Sequence, residues 1–548
     1  MNDAWLRRRP ETRAAGIALL ALALSTVALF GACSGSKWGG VGETPSSAAQ
    51  PTAAPRVGGV LHVAMESEPA TMDVQSEQDP YTQPLLDAVY SRLLRTVWDT
   101  RLGQEQGPQF VPDLAEAWEQ PDATTYVFRL RRGVAFHERS PVNGRECTAE
   151  DVKYSVERLL KRPATLSSFL ADVAAIDAPS SHEVQLRLKR PNVALLAWLA
   201  SPSAAIVPRE LVEQGLVKRV AIGTGPFVMQ EVQSGTGATL VKNARYFERD
   251  AAGIQKPYLD GVDLPLVKDG ASRAAAFRSG RLDVLIGAEQ QKGLLEALPG
   301  SRLVEYAIPA VATIDLNCTV APLDDVRVRR AIMYGTNAGE YAALLGVSHA
   351  RQCGPVGILD EWALPQEELP RYDPERAKQL LAQAGFGEGL SVEARVAEVM
   401  QGVSLAPIFK DQMKRIGVDV DVRVMETVPW MVDVFYSRRY QTTVRFRSGY
   451  ADPDGYLYPF HSQSAENNTG YANAALDELL EKQRQEPDPA ERRGYVLEAQ
   501  HLLLEDAPCV WLHTTSLAAL LAPRVQGWRP QPLIPFHPGV FEEIWLND

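Results

Sequence analysis

Val60–Met65 (VLHVAM) and Thr125–Leu130 (TYVFRL) are short runs rich in β-branched and aromatic residues. They predict strands, and Val184, Leu186 and Leu188 alternate with polar neighbours at the period of a half-buried strand. Thr148-Ala149-Glu150-Asp151 opens a helix, because the threonine caps a free N–H, Asp151 stands at the acidic position of a capping box, and both acids suit the positive end of the helix dipole. This helix is expected to run to about Leu160 and to stop before Pro163. Further along, Leu390, Val392, Ala394 and Val396 alternate, Val403–Ile416 is helical and ends at Gly417, and Val418, Val420, Val422 and Val424 alternate again. A strand, helix, strand crossover of this kind places parallel strands in at least one lobe. Asp373-Pro374-Glu375 and Asp488-Pro489-Ala490 each read as a cap followed by proline at the first helical position. The class is α/β mixed with α+β.

The start of the chain has another pattern. Arg7, Arg8, Arg9 and Arg13 precede an uncharged apolar run, Ala14–Phe30, which ends at Gly31, Ala32 and Cys33. A membrane-spanning helix needs about 20 apolar residues; this run is shorter and leads to small residues, as an export signal does. Leu29-Phe30-Gly31-Ala32-Cys33 resembles a bacterial lipobox, with Phe30 where leucine is usual. The resemblance implies acylation of Cys33 after removal of residues 1–32, and a plain secretory peptide is the alternative. Residues 33–57 then hold almost no large apolar side chain and form a flexible tether.

At 548 residues the chain is too long for one core, so several lobes are expected. The net charge is −12, and it becomes more negative once the four arginines of the signal leave with Asp3 and Glu11. No basic stripe marks the body, which excludes nucleic acid as the expected partner. Cys147, Cys318, Cys353 and Cys509 are too few for a disulfide scaffold, although one or two bridges remain open, and they show no metal spacing. No GxSxG, HExxH or Walker loop is present, and Phe136-His137-Glu138 lacks the second histidine of a zinc helix. Gly223-Thr224-Gly225-Pro226-Phe227 reads as a tight turn entering a strand, since Pro226 removes an amide that a phosphate loop would use. No catalytic residue, metal or cofactor is therefore expected.

A set of segments in fixed order resembles the family 5 extracellular solute-binding proteins of ABC importers, of the dipeptide, oligopeptide and nickel-binding type. These are Leu114-Ala115-Glu116-Ala117-Trp118 with Tyr126–His137, Thr148–Val152, Gly223–Phe227, Asp324–Ile332, and Asp452-Pro453-Asp454 with Gly470-Tyr471-Ala472-Asn473. The resemblance implies a two-lobed, periplasmic-binding-protein-like clamshell of type II, in its large three-domain variant. Lobe I would comprise 58–98, 206–309 and 515–548, with an extra domain at 99–205, and lobe II would be 310–514. It further implies a monomeric receptor, periplasmic or at the cell surface, that captures a peptide-like or other oligomeric or anionic solute in the cleft and delivers it to an ABC permease. A sensory receptor on the same clamshell, or a hydrolase, are the alternatives.

In peptide-binding relatives an aspartate three residues before the "DP" meets the substrate ammonium. Gly449 stands there, so peptide N-termini are not expected to be held in that way. Glu68, in a loop that faces the cleft in relatives, is a candidate replacement acid. Arg445 and Arg447 share one face of a predicted strand and suit a carboxylate or phosphate, or else form a solvated or salt-bridged strand face. Phe446 is a candidate pocket aromatic or a core residue. Trp430, Tyr450 and Tyr456 are candidate stacking walls or packing residues, and Asp452 completes the candidate site.

Overall fold

The computed structural model describes residues 54–76, 82–161, 165–288, 298–345, 350–398, 402–534 and 537–547. The export signal and Cys33 lie outside them. No described helix is long and apolar enough to cross a membrane.

Three sheets organise the body. A four-stranded sheet runs Val60–His62, Gly261–Pro265, Gly237–Lys242, Phe227–Gln233 in spatial order, its first pair parallel and the others antiparallel. The predicted first strand is shorter than expected: beyond His62 only isolated bridges at Val63 and Met65 continue it. Leu61, Val262, Leu240 and Phe227 pack with Leu85, Leu86, Val89 and Phe541 into a first core. A second, antiparallel sheet runs Ala115–Asp122, Thr125–Leu130, Glu183–Leu188, Val173–Ser180. The helix Ala149–Leu160 covers it, bringing Val152, Val156 and Leu159 to Phe128, Val184 and Leu186. Thr148 donates its backbone N–H to Asp151 at 2.9 Å, which is the acidic half of the expected capping box.

The third sheet has six strands, in the order Val284–Ile286, Cys509–Leu521, Arg302–Leu316, Thr442–Arg447, Leu390–Ala397, Val418–Met425. Leu390–Ala397 and Val418–Met425 pair in parallel around the helix Gly402–Arg415, as the alternation predicted. Asp373 and Asp488 cap their helices through side-chain bonds to following amides. Two strands of this sheet are long and antiparallel. Along Arg302–Leu316, Tyr306, Ile308 and Ala310 belong to the first core, whereas Ala312, Ile314 and Leu316 belong to another built on the crossover unit. Its partner changes core as well: Leu517, Ala519 and Leu521 lie in the first, Val510 and Leu512 in the other. Between these halves the pairing slips, from Ile308 opposite Thr515 to Val311 opposite Thr514. Pro309, which has no N–H to give to a ladder, sits in this bulge, and the buried polar run His513–Ser516 faces it from the partner strand.

The glycine turn and the His137 segment explain each other. A Cβ on Gly223 would lie 2.1 Å from the Val89 carbonyl oxygen, so only glycine allows the turn to press against that backbone. Gly225 donates to Val89 O and Phe227 to Ala88 O, which launches the strand. His137 is buried behind the turn, with Nε2 3.1 Å from Gly225 O and Nδ1 accepting from Gly223 N. Burial depresses its pKa to about 4.

The folded value lies below the unfolded one of about 6.5, so the stability that neutral His137 contributes is complete above pH ~6.5 and declines as pH falls toward 4. NMR titration of the His137 ring is expected to show it neutral at pH 5.5, and a midpoint near 6.5 would contradict this.

Candidate functional site

The Asp-Pro-Asp segment is an architectural joint. Asp452 caps the short helix Pro453–Leu457 by accepting from Asp454 N at 2.9 Å, and both its oxygens are held by Arg492, at 2.6 and 2.9 Å. Asp454 is fully buried against Arg484 (2.8 and 3.0 Å) and Gln483 (2.7 Å). Arg484 lies over Tyr458 and accepts from Val193 N through its carbonyl, while Arg190 bridges Asp172 and Glu481. The segment therefore ties the loop after the second sheet to the helix Ala474–Gln485. Both oxygens of Asp452 are engaged internally.

Arg445 and Arg447 share one face of the strand Thr442–Arg447, as expected from its period. They converge on Asp315, which lies fully buried on the neighbouring strand. Arg445 Nε donates to Asp315 Oδ2 at 2.7 Å, and Arg447 reaches both oxygens, through Nε at 3.2 Å and Nη2 at 3.1 Å. Asn468 Nδ2 (2.9 Å), Thr313 Oγ1 (3.1 Å) and the Cys509 thiol (3.3 Å) complete the carboxylate's partners. Burial alone would raise the Asp315 pKa, but the two guanidiniums and Asn468 outweigh it and hold the group well below the usual carboxylate range. Each arginine also stacks on a ring, Arg445 over Phe435 (4.9 Å) and Arg447 over Phe460 (4.5 Å). The salt-bridged alternative thus describes their internal contacts.

The remaining candidates fall in distinct places. Glu68 is exposed and bonded to Ser234 Oγ (2.7 Å) and Gly235 N (3.1 Å) in a turn of the first sheet; those bonds lower its pKa. Trp430 is buried with Val434 and Tyr440, its indole N–H shared between Thr443 Oγ1 and Arg395 O. Phe446 is half-buried between the two cores that meet at the bulge and stands edge-on to His513. Tyr456 is buried and donates to Pro309 O at 2.8 Å. Tyr450 crosses between parts of the molecule: its ring meets Trp198 (5.5 Å) and Phe169 (6.0 Å) beside the second sheet, and Tyr456 (5.6 Å) on the other side. Burial and the Glu466 charge raise the pKa of its hydroxyl, against the opposing influence of Arg445 and Arg447.

Gly449 packs directly on the bulge. A Cβ there would lie 2.3 Å from Pro309 Cβ and 2.4 Å from its carbonyl carbon. No aspartate fits on this backbone, which gives a physical reason for its absence.

Sequence reasoning missed Asp315, Asn468, Phe435, Phe460 and the Phe169–Trp198 stack. The available signal was one acid inside the apolar run Val311–Leu316, in phase with Thr313. Cys147, Cys318, Cys353 and Cys509 are free thiols, and burial pushes Cys318 up to about 11 and Cys353 up to about 12, so neither supplies a ready nucleophile. Among the described residues, no three His, Cys, Asp or Glu side chains converge as metal ligands.

Comparison with known proteins bears on this arrangement. The family model described as bacterial extracellular solute-binding proteins, family 5 middle, matches residues 109–468. Di/tripeptide-binding protein 2 of Pseudomonas aeruginosa is 26% identical over 462 residues, covering 77% of this chain and 84% of that protein. The probable di/tripeptide-binding protein 5 of the same species is 27% identical over 529 residues, covering 89% and 95%. The fold matches the Helicobacter pylori periplasmic binding protein DppA in complex with a peptide, at TM-score 0.78 and 24% identity over 90% of this chain and 99% of that one. It also matches MoaA from A. tumefaciens in complex with mannopinic acid, at TM-score 0.74 and 26% identity over 90% and 100%.

Gly449→Ala is expected to destabilise the protein by about 1–3 kcal/mol, because the added carbon has no room against Pro309. Urea denaturation of wild type and variant measures this, and equal midpoints would show that the contact yields freely.

Proposed function

Because the chain belongs to the family 5 bacterial extracellular solute-binding proteins, we propose that it is a membrane-tethered receptor that closes on a small solute between two lobes and hands it to an ABC permease. The observation that carries this reading is the change of core on both long strands where their pairing slips, between Ile308 and Val311 and again between Ala312 and Thr313. Lobe I is read as 58–98, 206–309 and 515–548 with the extra domain 99–205, and lobe II as 310–514. Pro309–Ala310 and Thr514–Thr515 then form the hinge, where a break in the ladder lets two packed bodies rotate. A solute that touches both bodies favours closure by the difference in its affinity for the two states and by nothing else.

Relatives named for di- and tripeptides, dipeptides and glutathione support a peptide-like solute. The export pattern and Cys33 support a lipid-anchored protein working outside the cytoplasm, with more than one acyl chain needed for lasting attachment.

Small-angle scattering of the protein without its signal, with and without a pool of di- and tripeptides, is expected to show contraction in the presence of solute. At 100 times Kd, a bound solute adds about 2.7 kcal/mol to stability. Mass spectrometry should recover it unaltered, and cleavage products would overturn the receptor reading. In cells, labelled palmitate should enter the wild type and not Cys33→Ser; equal labelling would refute the anchor.

A further inference from the structure

Resting on the receptor reading, we propose that Arg445 and Arg447 form an anion site that takes a carboxylate of the solute. Charge supports this first. Two guanidiniums face one carboxylate, and among the described residues no second Asp or Glu lies within ion-pair distance of either. Their side chains are only 13% and 12% exposed, so one positive charge stands largely removed from water without a counter-charge. Such an excess is costly in a protein interior unless something compensates it.

The donor count supports it independently. Asp315 already accepts from Arg445, Arg447, Asn468, Thr313 and Cys509, so its oxygens are saturated. A guanidinium carries five N–H donors. Arg445 uses Nε alone, and its two Nη groups bond to no described residue. Arg447 directs Nε and Nη2 inward and leaves Nη1 unused. The Phe435 and Phe460 rings fix both planes, so the free edges are presented in a set geometry suited to the paired oxygens of a carboxylate.

The surroundings set the selectivity. Tyr450, three residues beyond Arg447, brings its ring to Trp198 and Phe169. At Gly449, two residues beyond Arg447, Pro309 excludes an acidic side chain, so this position offers no carboxylate for an ammonium, and Glu466, whose charge also acts on Tyr450, makes no ion pair with either arginine. The solute class is a carboxylic acid whose capture does not depend on a free amine.

Two measurements test this. Crystals of the protein without its signal, soaked in sodium bromide, should show an anomalous peak against the Nη atoms of Arg445, and the peak should be lost in Arg445→Gln. A wild type without that peak overturns the anion site whatever the natural solute is. Titration calorimetry with N-acetyl-dialanine and dialanine amide reads the preference: the acid should bind more tightly by about tenfold or more, the scale of one lost charged hydrogen bond, and Arg445→Gln should abolish the difference. Circular dichroism of the variant verifies that it folds. Tighter binding of the amide overturns the inference and leaves the receptor reading standing. A bromide peak with no binding of either compound retains the anion site and counts against a peptide-like solute.

Discussion

The strands Arg302–Leu316 and Cys509–Leu521 impose the constraint from which the rest follows, because one pair of hydrogen-bonded strands runs from one hydrophobic core into another. A strand pair resists stretching and shear but bends where its ladder is interrupted. The interruption here has three supports: a proline that cannot donate, a slipped register, and the buried polar run His-Thr-Thr-Ser between apolar stretches. Apolar packing continues on either side, so on the receptor reading rotation would be confined to a few residues and the halves would move as bodies. The Gly449–Tyr456 segment grips the same point, with Gly449 against Pro309 and Tyr456 bonded to its carbonyl.

Much of this was legible in the sequence. Period-two and period-3.6 patterns located the crossover unit, and Thr148, Asp373 and Asp488 marked helix starts because a capping side chain acts within a few residues of itself. The glycine turn was readable as a turn. What it presses on was not, since Val89 lies far from Gly223 in sequence. The first strand came out shorter than its apolar run suggested, because strand length depends on a partner that the pattern does not name.

The candidate site was legible only in part, for the same physical reason. The common face of Arg445 and Arg447 follows from strand period alone, whereas Asp315 is far away in sequence and enters only through the sheet register that sets it beside Thr443 and one step from Arg445. Asp452 carried the family signature, and in the fold it is engaged by Arg492. Matched motifs mark what must be built, so they fall on caps, turns and buried ion pairs. Removing one partner of such a pair costs about 3–5 kcal/mol, enough to consume much of the 5–15 kcal/mol of a typical fold. Residues that choose a solute carry no comparable structural requirement and leave weaker traces.

On the receptor reading, the proposed hinge and the proposed anion site are neighbours in one sheet. Asp315 stands on the long strand a few residues past the bulge, and the arginines it orients lie on the next strand. To shift a two-state equilibrium from 1:99 to 99:1, a solute must favour the closed form by about 5.5 kcal/mol. A charged hydrogen bond contributes about 1.5–3 kcal/mol, so two to four that form only on closure are sufficient. Water competes with an acid for guanidinium edges that it can reach, so on the receptor reading a closed form would hold the acid more tightly than an open one; Tyr450, three residues beyond Arg447, brings its ring to Trp198 and Phe169. The contact with the acid becomes stronger as water leaves. On that reading, the capture of an acid at a fixed positive site would supply the free-energy difference that drives the proposed hinge.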